Sequence, residues 1–289
     1  MRIQSLSVCA PAGCSNNCKF CVSKMDIIES DRSYPNRIQN GGLKDFEDRL
    51  QFARDAGCDV VILTGANSEP TEHPDFLVSF AIINRRLRSP FINIEIQTAN
   101  MSISHRDLVK LRDTVGVKTI SISVANIFSD DLNEEILRPR GGEFARTLEE
   151  FIDELKEMNF NVRLSVLLND SMDKHSPLDL LDRVKELGAN QATFRKLYMG
   201  DGKDNVQNAW VAEHGEYYFM DALREVIEEN SREVRPLSFG QVVRSYKGIG
   251  VVLDDDCMAR VASIDLRYAI LRPNCKLYSR WEDKGSLIF

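Results

Sequence analysis

The sequence predicts an α/β fold, a partial (βα)6 barrel with a small C-terminal β-hairpin appendage. Six short runs rich in β-branched residues recur along residues 5–198, and five stretches with apolar residues at helical spacing lie between them. That alternation calls for right-handed βα units and a curved parallel sheet. From residue 240 onward the pattern changes to apolar–polar alternation on either side of Pro273–Asn274, as in antiparallel strands.

The strands are expected at SLSVCA (5–10), DVVILTG (59–65), INIEIQT (92–98), VKTISISVA (117–125), NVRLSVLLN (161–169) and NQATFRKLY (190–198). Helices are expected at LKDFEDRLQFARDAG, DFLVSFAIINRRL, HRDLVKLRDTVG, EFARTLEEFIDELKEMN and PLDLLDRVKELGAN, most of them ending in the Gly or Asn that suits a helix C-terminus. A further amphipathic helix is expected from His214 to Asn230. Residues 1–210 then make the core barrel, and residues 211–289 make a helix plus a β appendage, from about residue 240, that covers the barrel opening.

Composition narrows the function. A hydrophobic content of 43% over 289 residues supports one large domain and argues against a disordered chain. The net charge of −7 and pI near 5.3 argue against nucleic acid and favour a small-molecule or peptide substrate. Neither a signal-peptide core nor a run of roughly eighteen apolar residues is present, so the expectation is a cytoplasmic protein with no membrane partner. In that reducing compartment seven cysteines do not form a disulfide framework, and a tight cluster of them points to metal.

Such a cluster follows the first strand directly: Cys14-Ser-Asn-Asn-Cys18-Lys-Phe-Cys21. Soft thiolates at this spacing favour an iron–sulfur cluster or zinc. Structural zinc wants a fourth ligand, which no Cys or His in register supplies, because Cys9 lies within the strand. Three cysteines on a cubane would leave one iron open.

The Cys-x3-Cys-x2-Cys spacing, with Phe20 before the third cysteine, resembles the signature of the radical S-adenosylmethionine family, and the resemblance extends over roughly residues 1–200. It implies a [4Fe–4S] cluster on Cys14, Cys18 and Cys21, whose open iron chelates S-adenosylmethionine, and an oxygen-sensitive brown protein that uses a reducing donor such as flavodoxin or ferredoxin. The cofactor carries the hard chemistry and the protein orients it. Further along, Gly65-Ala-Asn-Ser-Glu69 is similar to the family's Gly-Gly-Glu segment, with the second Gly missing and longer spacing. It makes Glu69 a candidate for the methionine amino group. Gln97 and Asn100, in Gln-Thr-Ala-Asn, resemble a strand-end stretch that faces the cofactor, as do Ser123 on the fourth strand and Arg163 or Ser165 on the fifth. For each of these a satisfied buried polar group is the competing reading. Arg195, Lys196 and Tyr198 either meet an anionic substrate or cap the sixth strand.

The barrel resembles that of the molybdenum-cofactor GTP cyclase and its SPASM/twitch relatives, whose tails hold further clusters. Here Cys257, Cys275 and a Trp281 in place of a ligand are too few, so no auxiliary cluster is expected. Cys257 becomes a candidate catalytic thiol that returns a hydrogen atom to a substrate radical, against the reading of a packed cysteine. Epimerisation, cyclisation and other rearrangements are all open. The rival to the enzyme is a non-catalytic iron–sulfur or zinc protein, a redox-responsive binding module on the same fold.

Overall fold

The computed structural model describes residues 2–25, 37–38, 40–65, 67–200, 205–237, 241–255, 266–281 and 286–288. Its strands are β1 (Ile3–Cys9), β2 (Val60–Thr64), β3 (Asn93–Thr98), β4 (Thr119–Val124), β5 (Asn161–Leu168), β6 (Gln191–Lys196), β7 (Arg232–Pro236), β8 (Val242–Tyr246), β9 (Ile249–Asp254), β10 (Leu266–Leu271) and β11 (Leu277–Tyr278). They form one sheet in the order β11-β10-β1-β2-β3-β4-β5-β6-β9-β8-β7. All pairings from β10 through β1–β6 to β9 are parallel, which gives the barrel wall expected from the alternation of strands and helices.

Strand alternation sets the two faces. Ile120, Ile122 and Val124 on β4, and Val162, Leu164 and Val166 on β5, are fully buried in one apolar core with helix residues such as Phe80, Phe151 and Leu180. The alternate positions carry Ser121, Ser123, Arg163 and Ser165, which share register across the two strands. Period-2 alternation thus directs apolar side chains to the helices and polar ones to the opposite face.

The helices are α1 (Leu43–Asp55), α2 (Pro74–Arg86), α3 (His105–Lys110), α4 (Asp130–Leu137), α5 (Leu148–Glu157), α6 (Pro177–Glu186), α7 (Val206–His214) and α8 (Met220–Asn230). Local chemistry explains their starts. Thr147 and Glu150 close a capping box on α5, and Ser176 and Asp179 close one on α6, where Pro177 occupies the first turn. The expected helix over 214–230 starts later, as α8 at Met220, and His214 instead ends the separate helix α7. Helices α4 and α7, not signalled by periodicity, are short, and each starts on a local cap, Ser129 and Asn205.

The tail does not form one hairpin unit. β10 and β11 are antiparallel around the expected Pro273–Asn274 turn, and they lie on the β1 edge. β9 joins the opposite edge beside β6 and turns back into β8 through Lys247 and Gly248, both at positive φ, as a tight hairpin requires. Open sheet edges carry unpaired N–H and C=O groups, and the tail covers both edges at once. Successive strands are staggered, so the end of β9 comes beside the start of β10, where Arg267 meets Asp254 at 3.3 Å.

Candidate active site

The cysteine loop leaves β1 at its carboxyl end and is held by three neighbours. Gly13 donates its N–H to the Asn67 carbonyl (2.9 Å), and its own carbonyl accepts from Glu69 N (2.9 Å). Ser15 N–H donates to Glu72 Oε2 at 3.0 Å, and the Ser15 hydroxyl meets the same carboxylate. Asn16, which is buried, donates from Nδ2 to the Ala99 carbonyl at 3.2 Å, tying the loop to the end of β3. On the far side Asn17 N and Lys19 N donate to the Arg138 and Ile136 carbonyls at 2.9 and 3.0 Å, so the loop caps the C-terminus of α4.

Gly65, at the end of β2, is required by this packing. A Cβ there would stand 2.2 Å from the Ser68 carbonyl oxygen, closer than any side chain tolerates. Ser68 in turn bridges to Gly13, one residue before Cys14.

Cys14 is exposed and Cys18 and Cys21 are partly buried. Burial pushes the Cys14 thiol up to about 11, with Glu69, Glu72 and Cys21 adding to the rise against a backbone hydrogen bond from Asn16. Burial also raises Cys18 strongly, followed by repulsion from Cys21 and Cys14. Three thiols that feel one another in a partly dry loop need compensating positive charge, and a cationic metal centre would supply it. Among the described residues no three Cys, His, Asp or Glu side chains already stand as a converged ligand set, and no disulfide joins the described cysteines. The donor set nonetheless fits an iron–sulfur cluster: three soft ligands within eight residues of one anchored loop.

Glu69 is buried, and its carboxylate spans two loops. It accepts from Thr71 N (3.2 Å) and Thr71 Oγ1 (2.8 Å) on one oxygen and from Ala99 N (3.0 Å) on the other. Burial raises its pKa, and hydrogen bonds from Ala99, Thr98 and Thr71 oppose the rise. Asn100 joins the same network by donating from Nδ2 to Thr71 Oγ1 at 3.3 Å. Cys14, Asn16, Glu69, Thr71, Ala99 and Asn100 are therefore one connected shelf at the ends of β1, β2 and β3.

Gln97 and Arg163 belong to a separate, partly buried network. Gln97 Oε1 accepts from Thr64 Oγ1 at 3.0 Å, and its Nε2 donates to Glu95 at 3.4 Å. Arg163 forms an ion pair with Glu95 through Nη2 and donates from Nε to Ser121 Oγ at 3.3 Å. Burial pushes the Glu95 carboxyl up, and Arg163 opposes it most strongly. Ser123 and Ser165 are register neighbours on β4 and β5, each two residues beyond Ser121 and Arg163.

Phe20 packs against Trp210 of α7 at 6.2 Å between ring centroids, and Trp210 lies 5.1 Å from His214, whose Nδ1 is 2.9 Å from Asp170. Helix α7 thereby walls one side of the cysteine loop, and Asn205 at its N-cap bonds the Lys24 carbonyl. Sequence reading missed Asn16, Glu72 and Trp210. The Glu-Pro-Thr-Glu-His stretch that contains Glu72 was the only local signal, since an acid next to a strand-end Gly/Pro turn reads as an ordinary turn residue. Cys257 lies outside the described residues, and Cys275 is packed in the core, where burial pushes its thiol up to about 11.

A parallel barrel wall with a thiol-bearing loop at the carboxyl end of its first strand defines the class: a βα-barrel protein that gathers its chemistry at one rim. Residues 10–176, more than half of the chain, match the Radical SAM superfamily, and the chain belongs to that family. Members of it use a [4Fe–4S] cluster and S-adenosylmethionine. No curated protein sequence matches the chain. Among solved structures, a maturase of the [FeFe]-hydrogenase is similar with a TM-score of 0.50 at 11% identity, covering 78% of this chain and 48% of that one. Coproporphyrinogen III oxidase from Escherichia coli matches with a TM-score of 0.49 at 14% identity over 80% of this chain and 54% of its own. Methylornithine synthase matches with 0.49 at 15% identity over 77% and 62%. The chain thus spans about half to three fifths of those proteins, and the likeness is one of fold. No helix among the described residues is long and apolar enough to cross a membrane.

Proposed function

We propose that Cys14, Cys18 and Cys21 hold a single [4Fe–4S] cluster and that the chain reductively cleaves S-adenosylmethionine to abstract hydrogen from a small-molecule or peptide substrate. The observation that carries this reading is the anchoring of the cysteine loop to the shelf of Glu69, Ala99 and Asn100 through Asn16 and Gly13. When bound, the cluster and cofactor would supply the electron and the 5′-deoxyadenosyl radical. The residues of the chain supply position. Glu69 holds the ends of β2 and β3 at a fixed separation and has carboxylate lone pairs left for an ammonium group. Ser123 and Ser165 offer hydroxyls on the inner face. Phe20 and Trp210 pack together on one side of the loop and shield that side.

Gln97 and Arg163 act one step removed in this reading, since both already have partners within the wall. Cys257 remains a proposed hydrogen-atom donor on its sequence position alone. The division into a 1–210 core and a 211–289 tail, the cytoplasmic setting and a flavodoxin or ferredoxin donor belong to the same proposal.

The test is anaerobic reconstitution with iron and sulfide, reduction, and assay for 5′-deoxyadenosine, with Cys14/Cys18/Cys21→Ala as control. The nucleoside should form only with the intact triad. A cluster that forms without ever yielding the nucleoside would favour the non-catalytic iron–sulfur module, and a chain that binds no cluster would overturn the assignment.

A further inference from the structure

The inner face of the barrel carries more positive charge than its own partners neutralise. Glu95 and Arg163 form one ion pair. Asp254, at the end of β9 and only 3% exposed, is met by Arg267 at 3.3 Å and by Gln241 Nε2 at 3.2 Å. Arg195, in register with Asp254 on the neighbouring β6, approaches it no closer than 3.9 Å. Arg195 makes no hydrogen bond among the described residues, although a guanidinium offers five donors. Among the described residues three cations therefore stand against two anions here, and the loosely paired cation is Arg195.

Further unused groups surround it. Arg195 Nε, Arg267 Nη1 and Gln241 Oε1 are all buried without a hydrogen-bond partner among the described residues. Two of these are donors and the Gln241 oxygen is an acceptor, and a buried donor is costly unless something accepts from it. Arg195 alternates along β6 with Ala192 and Phe194, which are buried in the core under the helices, so period-2 alternation puts it on the inner face. The side chains of Arg195 and Arg267 are 31% and 25% exposed, so both remain reachable. Asp254 lies nearer to Arg267, at 3.3 Å, than to Arg195, at 3.9 Å, so its pairing leaves the Arg195 fork unsaturated.

We propose that Arg195, backed by Arg267 and positioned by Asp254, binds an oxyanionic group of the substrate, a carboxylate or a phosphate, inside the barrel at the seam between β9 and β10. The proposal rests on the enzymatic reading above and narrows its substrate to an anionic molecule. A planar guanidinium with free parallel donors suits a carboxylate or phosphate better than a lysine would.

The test is calorimetric titration of the anaerobically reconstituted full chain with succinate and, separately, inorganic phosphate, with ionic strength held constant by chloride. S-adenosylmethionine is titrated in parallel. At least one anion should bind, and Arg195→Met should weaken it by about tenfold or more. Arg195→Lys keeps a charge opposite Asp254, guards against misfolding as the cause, and should still weaken binding by several-fold. The affinity for S-adenosylmethionine should change by less than about twofold. Preference for succinate or for phosphate tells which oxyanion the substrate carries. The proposal fails if neither anion binds the native chain, if both variants bind like the native chain, or if the variants lose S-adenosylmethionine instead, which would give Arg195 to the cofactor. Because the titration reads binding alone, loss of 5′-deoxyadenosine with anion binding intact strikes the enzymatic reading and not this one.

Discussion

Arg163→Met separates a wall-building arginine from a cofactor-binding one. Arg163 and Glu95 are 20% and 9% exposed, so removing the cation strands a carboxylate in a mostly dry setting. Breaking a buried pair from one side costs about 3–5 kcal/mol, and the nearby Arg195 charge places this case toward the lower end. For a chain of this size that corresponds to a melting temperature lower by roughly 6–12 °C. The loss should depend on pH. Burial already lifts the Glu95 pKa above its unfolded value near about 4.3, and removing Arg163 takes away the main opposing pull. A group that holds its proton more tightly when folded loses stability as pH rises from the unfolded pKa through the folded one. The variant should therefore be least damaged at the acidic end and most damaged near neutrality. Circular-dichroism melts across that range, with S-adenosylmethionine titrations beside them, provide the measurement. A variant that melts with the native chain at every pH but binds S-adenosylmethionine far more weakly would refute the wall-building role.

Other consequences concern the shelf and the loop. Gly65→Ala drives a Cβ against the Ser68 carbonyl and should cost about 1–3 kcal/mol, with lower iron content after reconstitution because Ser68 bridges to Gly13; normal melting and full iron would contradict the packing argument. Glu69 is also raised by burial, so its contribution to stability declines as pH climbs above the unfolded value near about 4.3; Glu69→Gln should flatten that part of the melting profile, and an unchanged slope would count against it. With its thiol lifted to about 11, Cys14 of the cluster-free chain should react with iodoacetamide at about pH 8 roughly a hundredfold more slowly than an unperturbed cysteine, as read by peptide mass mapping. Alkylation at the rate of a free thiol would show that solvent reaches the exposed Cys14 too freely for partial burial to lift its thiol.

The wall strands β1–β6 and the thiol loop after β1 were legible in the sequence because their signals are local. A period of two in TISISV or NVRLSVLL marks a two-faced strand before any partner is known. The Cys14, Cys18 and Cys21 spacing likewise lies within eight consecutive residues. Polar residues are different. Gln97, Arg163 and Arg195 look alike in the sequence as inward-facing polar positions, yet the fold gives Gln97 and Arg163 close partners and leaves Arg195 with a distant one. Glu95 and Arg163 are 68 positions apart, and Ser15 and Glu72 are 57 apart. The tail shows the same limit. Its alternation announced strands, but β9 and β10 joined opposite edges of the sheet, since the edge a strand covers depends on which hydrogen-bonding groups elsewhere remain open. The sequence alone determined the periodic elements and the metal-ligand spacing, which depend on neighbours along the chain. Only the tertiary structure decided which charges are neutralised and which edges are closed, because both depend on partners that the chain brings together from far apart.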